Sequence, residues 1–126
     1  MTKYEELLAE YEHLDIQEKK GMLNEGLYSD GHIWIREDLS SSKKYCTLAE
    51  EIGHHETSYG DILDQRNLGN YKQEHTARAW AYKKILPKEK IREALSKGHT
   101  ELYDIAEYLD VDEAFLRACL ERYGMV

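Results

Sequence analysis

The sequence predicts an α+β fold, mostly helical, with one small antiparallel hairpin. Apolar residues recur at helical spacing in several separate stretches, and an Asp-Gly pair sits between two short β-rich runs. With 1 Pro and 8 Gly in 126 residues, the chain carries few helix breakers. Tyr4, Leu7, Leu8 and Tyr11 follow the i, i+3, i+4, i+7 pattern and predict an amphipathic helix over Lys3–His13. After the polar break Lys19-Lys20-Gly21, the run from Gly26 to Arg36 reads as two strands around Asp30-Gly31, a dipeptide that accepts the positive φ of a tight turn. Ser40-Ser41-Ser42 offers N-cap oxygens to a helix over Lys43–His55, whose apolar side is Leu48, Ala49 and Ile52. Thr57–Tyr71, with Gly60, Asn67, Gly69 and Asn70, reads as a loop. Helix is expected again from Lys72 to just before Pro87, which pushes the residue preceding it out of the α region. Three short helices complete the chain: Lys88–Lys97 stopped by Gly98, Thr100–Leu109, and Asp112–Tyr123 with Phe115, Leu116, Cys119 and Leu120 facing inward.

A chain of 126 residues has room for one domain, 1–126, with the helices of about 88–123 packed upon it. Subtracting 25 acidic from 17 basic residues leaves a net charge of −8, which disfavours a non-specific grip on nucleic acid or on an anionic membrane. Two cysteines, Cys46 and Cys119, are too few for a disulfide framework or a Cys-rich zinc site and fit a reducing compartment. No run approaches the ~18 apolar residues of a membrane span, and the first residues lack an apolar secretory core. The expected location is the cytoplasm.

The stretch that could carry chemistry is Leu48-Ala49-Glu50-Glu51-Ile52-Gly53-His54-His55. Glu50 and His54 are one helical turn apart on one face, with Glu51 beside them. A zincin helix needs this geometry: two ligands at i and i+4 hold Zn2+, and the Glu after the first serves as base. Here Glu50 stands where the usual motif has His. The next helix offers Gln73-Glu74-His75. His75 as third ligand gives two nitrogens and one carboxylate, the preferred set; Glu74 gives one nitrogen and two carboxylates, a more anionic site. Periodicity does not decide between them, since His75 shares a stripe with Ala79, Tyr82 and Leu86, and Glu74 one with Ala77, Ala81 and Ile85. A slip to Glu51 and His55 puts Ile52 where the base belongs. Without metal, Glu50 to His55 reads as a solvated helix face and His75 as a packed histidine beside Trp80. His13, His32 and His99 read as solvated, and Cys46 and Cys119 as small buried apolar groups. Tyr59 sits in the loop, where a phenol could serve an oxyanion but more simply packs.

These residues resemble the ImmA/IrrE family of small metallopeptidases, in the short form common in phages and prophages. Gly26-Leu27-Tyr28-Ser29-Asp30-Gly31-His32-Ile33-Trp34-Ile35 is similar to the hairpin before its active helix, and Leu48–His54 to its L-A-H-E-L-G-H core. Gln73 to Pro87 is similar to its second helix, which ends in L-x-P. The resemblance implies Glu51 as general base, His54 as zinc ligand and Glu50 at the place of the first His ligand. Aligning Trp80-Ala81 on the family's E-A-N-x-F-A segment puts Thr76 at the third-ligand place, flanked by His75 and Glu74. The implied protein is a zinc-dependent endopeptidase that cuts a helix-turn-helix repressor and so derepresses a prophage or mobile element. A substrate strand would be expected to add to the hairpin edge near Ile33–Ile35. Two other readings compete. One is a pseudo-peptidase that binds the repressor without cutting it. The other is a helix-turn-helix DNA-binding module at Tyr103–Arg117, against which stand the carboxylates of Asp112, Glu113 and Glu121.

Overall fold

The structure, a computed structural model, describes residues 1–57 and 69–126. Helix α1 (Lys3–Glu10) opens on a capping box in which Thr2 Oγ1 accepts from the Glu5 amide at 3.0 Å and Glu5 accepts from the Thr2 amide at 2.8 Å. It ends three residues before the expected His13, because the chain turns through Tyr11–Leu14, where the Leu14 amide bonds the Tyr11 carbonyl at 2.9 Å, and enters a strand. That strand, β1 (Asp15–Lys19), was not expected. It is short, and only Ile16 of its five residues is even half-buried, so it carries no apolar alternation for the eye to find.

Strands β2 (Gly26–Ser29) and β3 (His32–Arg36) form the expected hairpin around Asp30, at φ 48°, and Gly31, at φ 84°. The sheet is nevertheless mixed. Its order is β1-β3-β2, with β1 parallel to β3 and β2 antiparallel to it. Ile33 and Ile35 therefore lie on the central strand, fully buried, and the edge expected near Ile33–Ile35 is paired on both sides. The outer strand on the hairpin side is β2.

Helix α2 (Ser41–Thr57) lies across the sheet, its first turn tied by Ser40 Oγ accepting from the Lys43 amide at 3.2 Å. From Tyr45 to Gly53 every residue except Glu50 is buried, as suits a central helix packed on several sides. Residues 58–68 lie outside the described part, and with them Tyr59 and all but the ends of the expected Thr57–Tyr71 loop. Helix α3 (Gly69–Ile85) returns alongside α2 and begins three residues earlier than expected.

The chain then runs through α4 (Lys88–Ser96), α5 (Leu102–Leu109) and α6 (Glu113–Tyr123). Asp112 caps α6 by accepting from the Phe115 amide at 3.2 Å, and Gly124 ends it at φ 71°. Ile91, Ile105, Leu116 and Cys119 belong to the same buried cluster as Leu48, Ile52 and Ile35. Tyr82 and Phe115 meet edge to face at 5.0 Å, joining α3 to α6. Cys46 and Cys119 are buried free thiols, as expected. Among the described residues no helix is long and apolar enough to cross a membrane.

The α2–α3 contact has a tight spot. A Cβ at Gly53 would stand 2.4 Å from the Ala77 carbonyl oxygen, a clash with backbone that only separation of the helices relieves. Gly53→Ala should therefore destabilise the fold by about 1–3 kcal/mol, read as a lower melting temperature. An unchanged melting temperature would show that the helices are not held this close.

Candidate active site

The close approach at Gly53 and Ala77 sets what faces what across the two helices. One turn along α3 from Ala77, Glu74 Oε1 lies 3.1 Å from His54 Nε2. One turn back on α2, Glu50 Oε1 lies 3.5 Å from Arg78 Nε. Two cross-helix pairs, 54 with 74 and 50 with 78, thus stand side by side. All four residues line one cleft of about 890 Å³ between α2, α3, β2 and the start of α6, and Glu51, Gln73 and Tyr28 line it too. That volume lies within the range of ligand clefts, about 300–1,000 Å³.

Glu51 is buried at the cleft floor, beneath β2. Gly26 makes that possible: a Cβ there would meet Thr47 Cγ2 at 2.6 Å and Glu51 Oε2 at 2.9 Å. Burial pushes the Glu51 carboxyl up to about 8, helped by the charges of Glu50 and Glu74. Burial also raises Glu50, and Glu74 adds to the rise, while Arg78 and Lys43 pull the other way. On the β2 side, the Tyr28 ring lies parallel to that of His54 at 6.5 Å, and its hydroxyl is 3.0 Å from His55 Nδ1.

The structure brings Glu50, Glu51 and His54 to one cleft, but not His75. Its ring is exposed, on the side of α3 turned to α6, where it lies against the Arg122 guanidinium with Nη1 3.4 Å from Nδ1. The physical reason is helix phase. Glu74, itself exposed, lies in line with the buried Ala77, Ala81 and Ile85 on the side of α3 that meets His54, and His75 is about 100° further round. The carboxylate, not the imidazole, is the α3 donor that faces His54. In the sequence Glu74 stands second to His75 as third ligand, Gly26 and Tyr28 figure only in the hairpin, and nothing marks Arg78 as a site residue. An acid and a base four residues apart, Glu74 and Arg78, opposite Glu50 and His54 four apart, were the available signal for two cross-helix pairs.

Do these residues fit a divalent cation? Two donors bonded to one tetrahedral zinc at about 2.1 Å stand about 3.4 Å apart, close to the 3.1 Å between His54 Nε2 and Glu74 Oε1. Glu50 supplies a third oxygen in the same cleft, and burial among carboxylates is a setting that positive charge relieves. The donor set fits a cation in its chemistry. Among the described residues, however, no three His, Cys, Asp or Glu side chains are gathered into a finished cage, since the Glu50 carboxylate is turned to Arg78.

A family model described as the IrrE N-terminal-like domain, of the peptidase M78 group, matches residues 4–121. No curated protein matches the chain.

The placement separates two candidates for third ligand. Glu74→Gln should weaken zinc binding at least about tenfold in equilibrium dialysis, an oxygen anion being exchanged for a neutral amide, whereas His75→Ala should leave it unchanged. The reverse pattern would restore His75 and overturn the register of α3.

Proposed function

This chain belongs to the ImmA/IrrE-type peptidase M78 family, a family of metallopeptidases acting on protein substrates, and from that premise we propose that it is a single-domain, zinc-dependent endopeptidase of the cytoplasm. The observation that carries the reading is the pairing of His54 with Glu74 at 3.1 Å directly beside the buried Glu51. Zinc would be held by His54, Glu74 and Glu50. The cation's part, when bound, is Lewis-acid polarisation of the scissile carbonyl and acidification of the attacking water.

The remaining work falls to the chain's own residues. Burial raises the Glu51 carboxyl, and the positive charge of a cation held beside it would favour its ionised form. Glu51 would then take the proton of the water on its carboxylate and hand it to the departing amine. Its burial under Gly26 fixes the carboxylate in one place and keeps bulk water from competing for that proton. The substrate lies extended in the cleft. Strand β2 borders that cleft and is an outer strand of the sheet, so main-chain hydrogen bonds from Gly26–Ser29 can hold a peptide as an added strand. Ile33–Ile35, on the central strand, is paired on both sides and leaves that role to β2. Protein substrates of this kind include a helix-turn-helix repressor, whose cleavage would derepress a prophage or mobile element.

The Glu50–Arg78 pair favours a second reading, in which the same cleft binds the repressor without cutting it. Glu51→Gln distinguishes the two, because it keeps the shape and removes the base. With zinc present, mass spectrometry of a peptide library should show new termini from the full chain and a loss of about 10²–10⁴-fold in the variant. Equal cleavage by both would remove Glu51 from the reaction; no cleavage by a zinc-loaded chain would leave the binding role.

A further inference from the structure

The most unusual member of the cleft is its cation. Arg78 stands one turn from Glu74 on α3 and takes, opposite Glu50, the corner that a metal ligand set would need. Its Nε is 3.5 Å from Glu50 Oε1, and both side chains are partly exposed, at 46% and 26%. A guanidinium cannot lose its charge near neutral pH. It therefore acts twice against a dication: it holds the third donor away from His54 and Glu74, and its own charge repels a second positive charge entering a few ångströms off. Lys43, also on the cleft wall, makes its ion pairs with Glu25 at 3.3 Å and Asp112 at 3.4 Å and acts on Glu50 through its charge alone.

We infer that Arg78 is a positioning residue that competes with the divalent cation for Glu50, so that metal binding requires Glu50 to exchange Arg78 for the metal. The inference rests on the reading of His54, Glu74 and Glu50 as zinc ligands. Its consequence is a site of modest affinity whose occupancy follows the local zinc concentration, in contrast to a permanently loaded centre. No proton or electron changes hands in the exchange; one ionic partner of a carboxylate replaces another.

Zinc affinity, measured on the full chain by competition with a chromophoric chelator, tests this without any substrate. Arg78→Gln should bind zinc about tenfold more tightly than the unaltered chain, which corresponds to about 1.4 kcal/mol, while Arg78→Lys, which keeps the charge, should gain much less. In Arg78→Gln/Glu50→Gln the gain should vanish, because the competitor and the donor are both gone. A circular-dichroism melt of each variant confirms that it is folded, and Arg78 is exposed enough for the substitution to be tolerated. If the unaltered chain binds zinc through His54, as shown by loss on His54→Ala, and Arg78→Gln binds it equally or more weakly, the competition is overturned while the zinc site stands. If neither the unaltered chain nor Arg78→Gln binds zinc, the ligand reading fails and takes this inference with it.

Discussion

Everything in the cleft depends on how near α2 and α3 come to each other. With no side chain at Gly53, the Ala77 carbonyl comes to rest where a Cβ would be, and a methyl group at residue 77 is small enough to permit it. Close-packed helices with small residues between them fix their relative rotation, because any slip drives a larger neighbour into backbone. That fixed rotation is what puts Glu74 across from His54 and Arg78 across from Glu50. A second close approach works in the same way from the sheet side: Gly26 lets β2 lie directly on Glu51. Two glycines thus clamp one helix turn between a strand and a helix, and the turn they clamp is the one that carries Glu50, Glu51 and His54.

The electrostatics follow from this packing. Three carboxylates, Glu50 and Glu51 from α2 and Glu74 from α3, share one cleft, and burial holds the first two above the ordinary carboxylate range. Such a cluster is costly unless positive charge is near. Arg78 supplies part of that charge, and the imidazole of His54 lies against Glu74. The charge of Glu50 is thus answered by a residue of the facing helix.

Much of the fold was legible in the residues. The helices from Lys88 onward are amphipathic and punctuated by Pro87, Gly98 and the Asp112 cap, local signals that mark their ends to within a residue or two. β1 was not legible, because an exposed strand of Asp15–Lys19 has no alternation, and its parallel pairing to β3 is a long-range event. At the site, the i, i+4 spacing of Glu50 and His54 was visible on α2 alone. The partner from α3 was not, since the stripes of Glu74 and His75 both contain apolar residues and the chemical preference for a second imidazole pulled toward the wrong neighbour. Only the Gly53–Ala77 contact fixes the phase of α3, and no local pattern announces a contact between residues 24 apart. Arg78 is not legible either, as a lone cation on a helix reads as solvated surface.

On the proposed reading, the pairing of His54 with Glu74 at 3.1 Å is where a cation would be shared. Diffraction from crystals grown with zinc, with anomalous data collected at the zinc edge, tests it most directly. The account predicts an anomalous peak within bonding distance of both His54 Nε2 and a Glu74 carboxylate oxygen. A peak seated on the His75 ring, or no peak between α2 and α3 in crystals that hold zinc elsewhere, would contradict it.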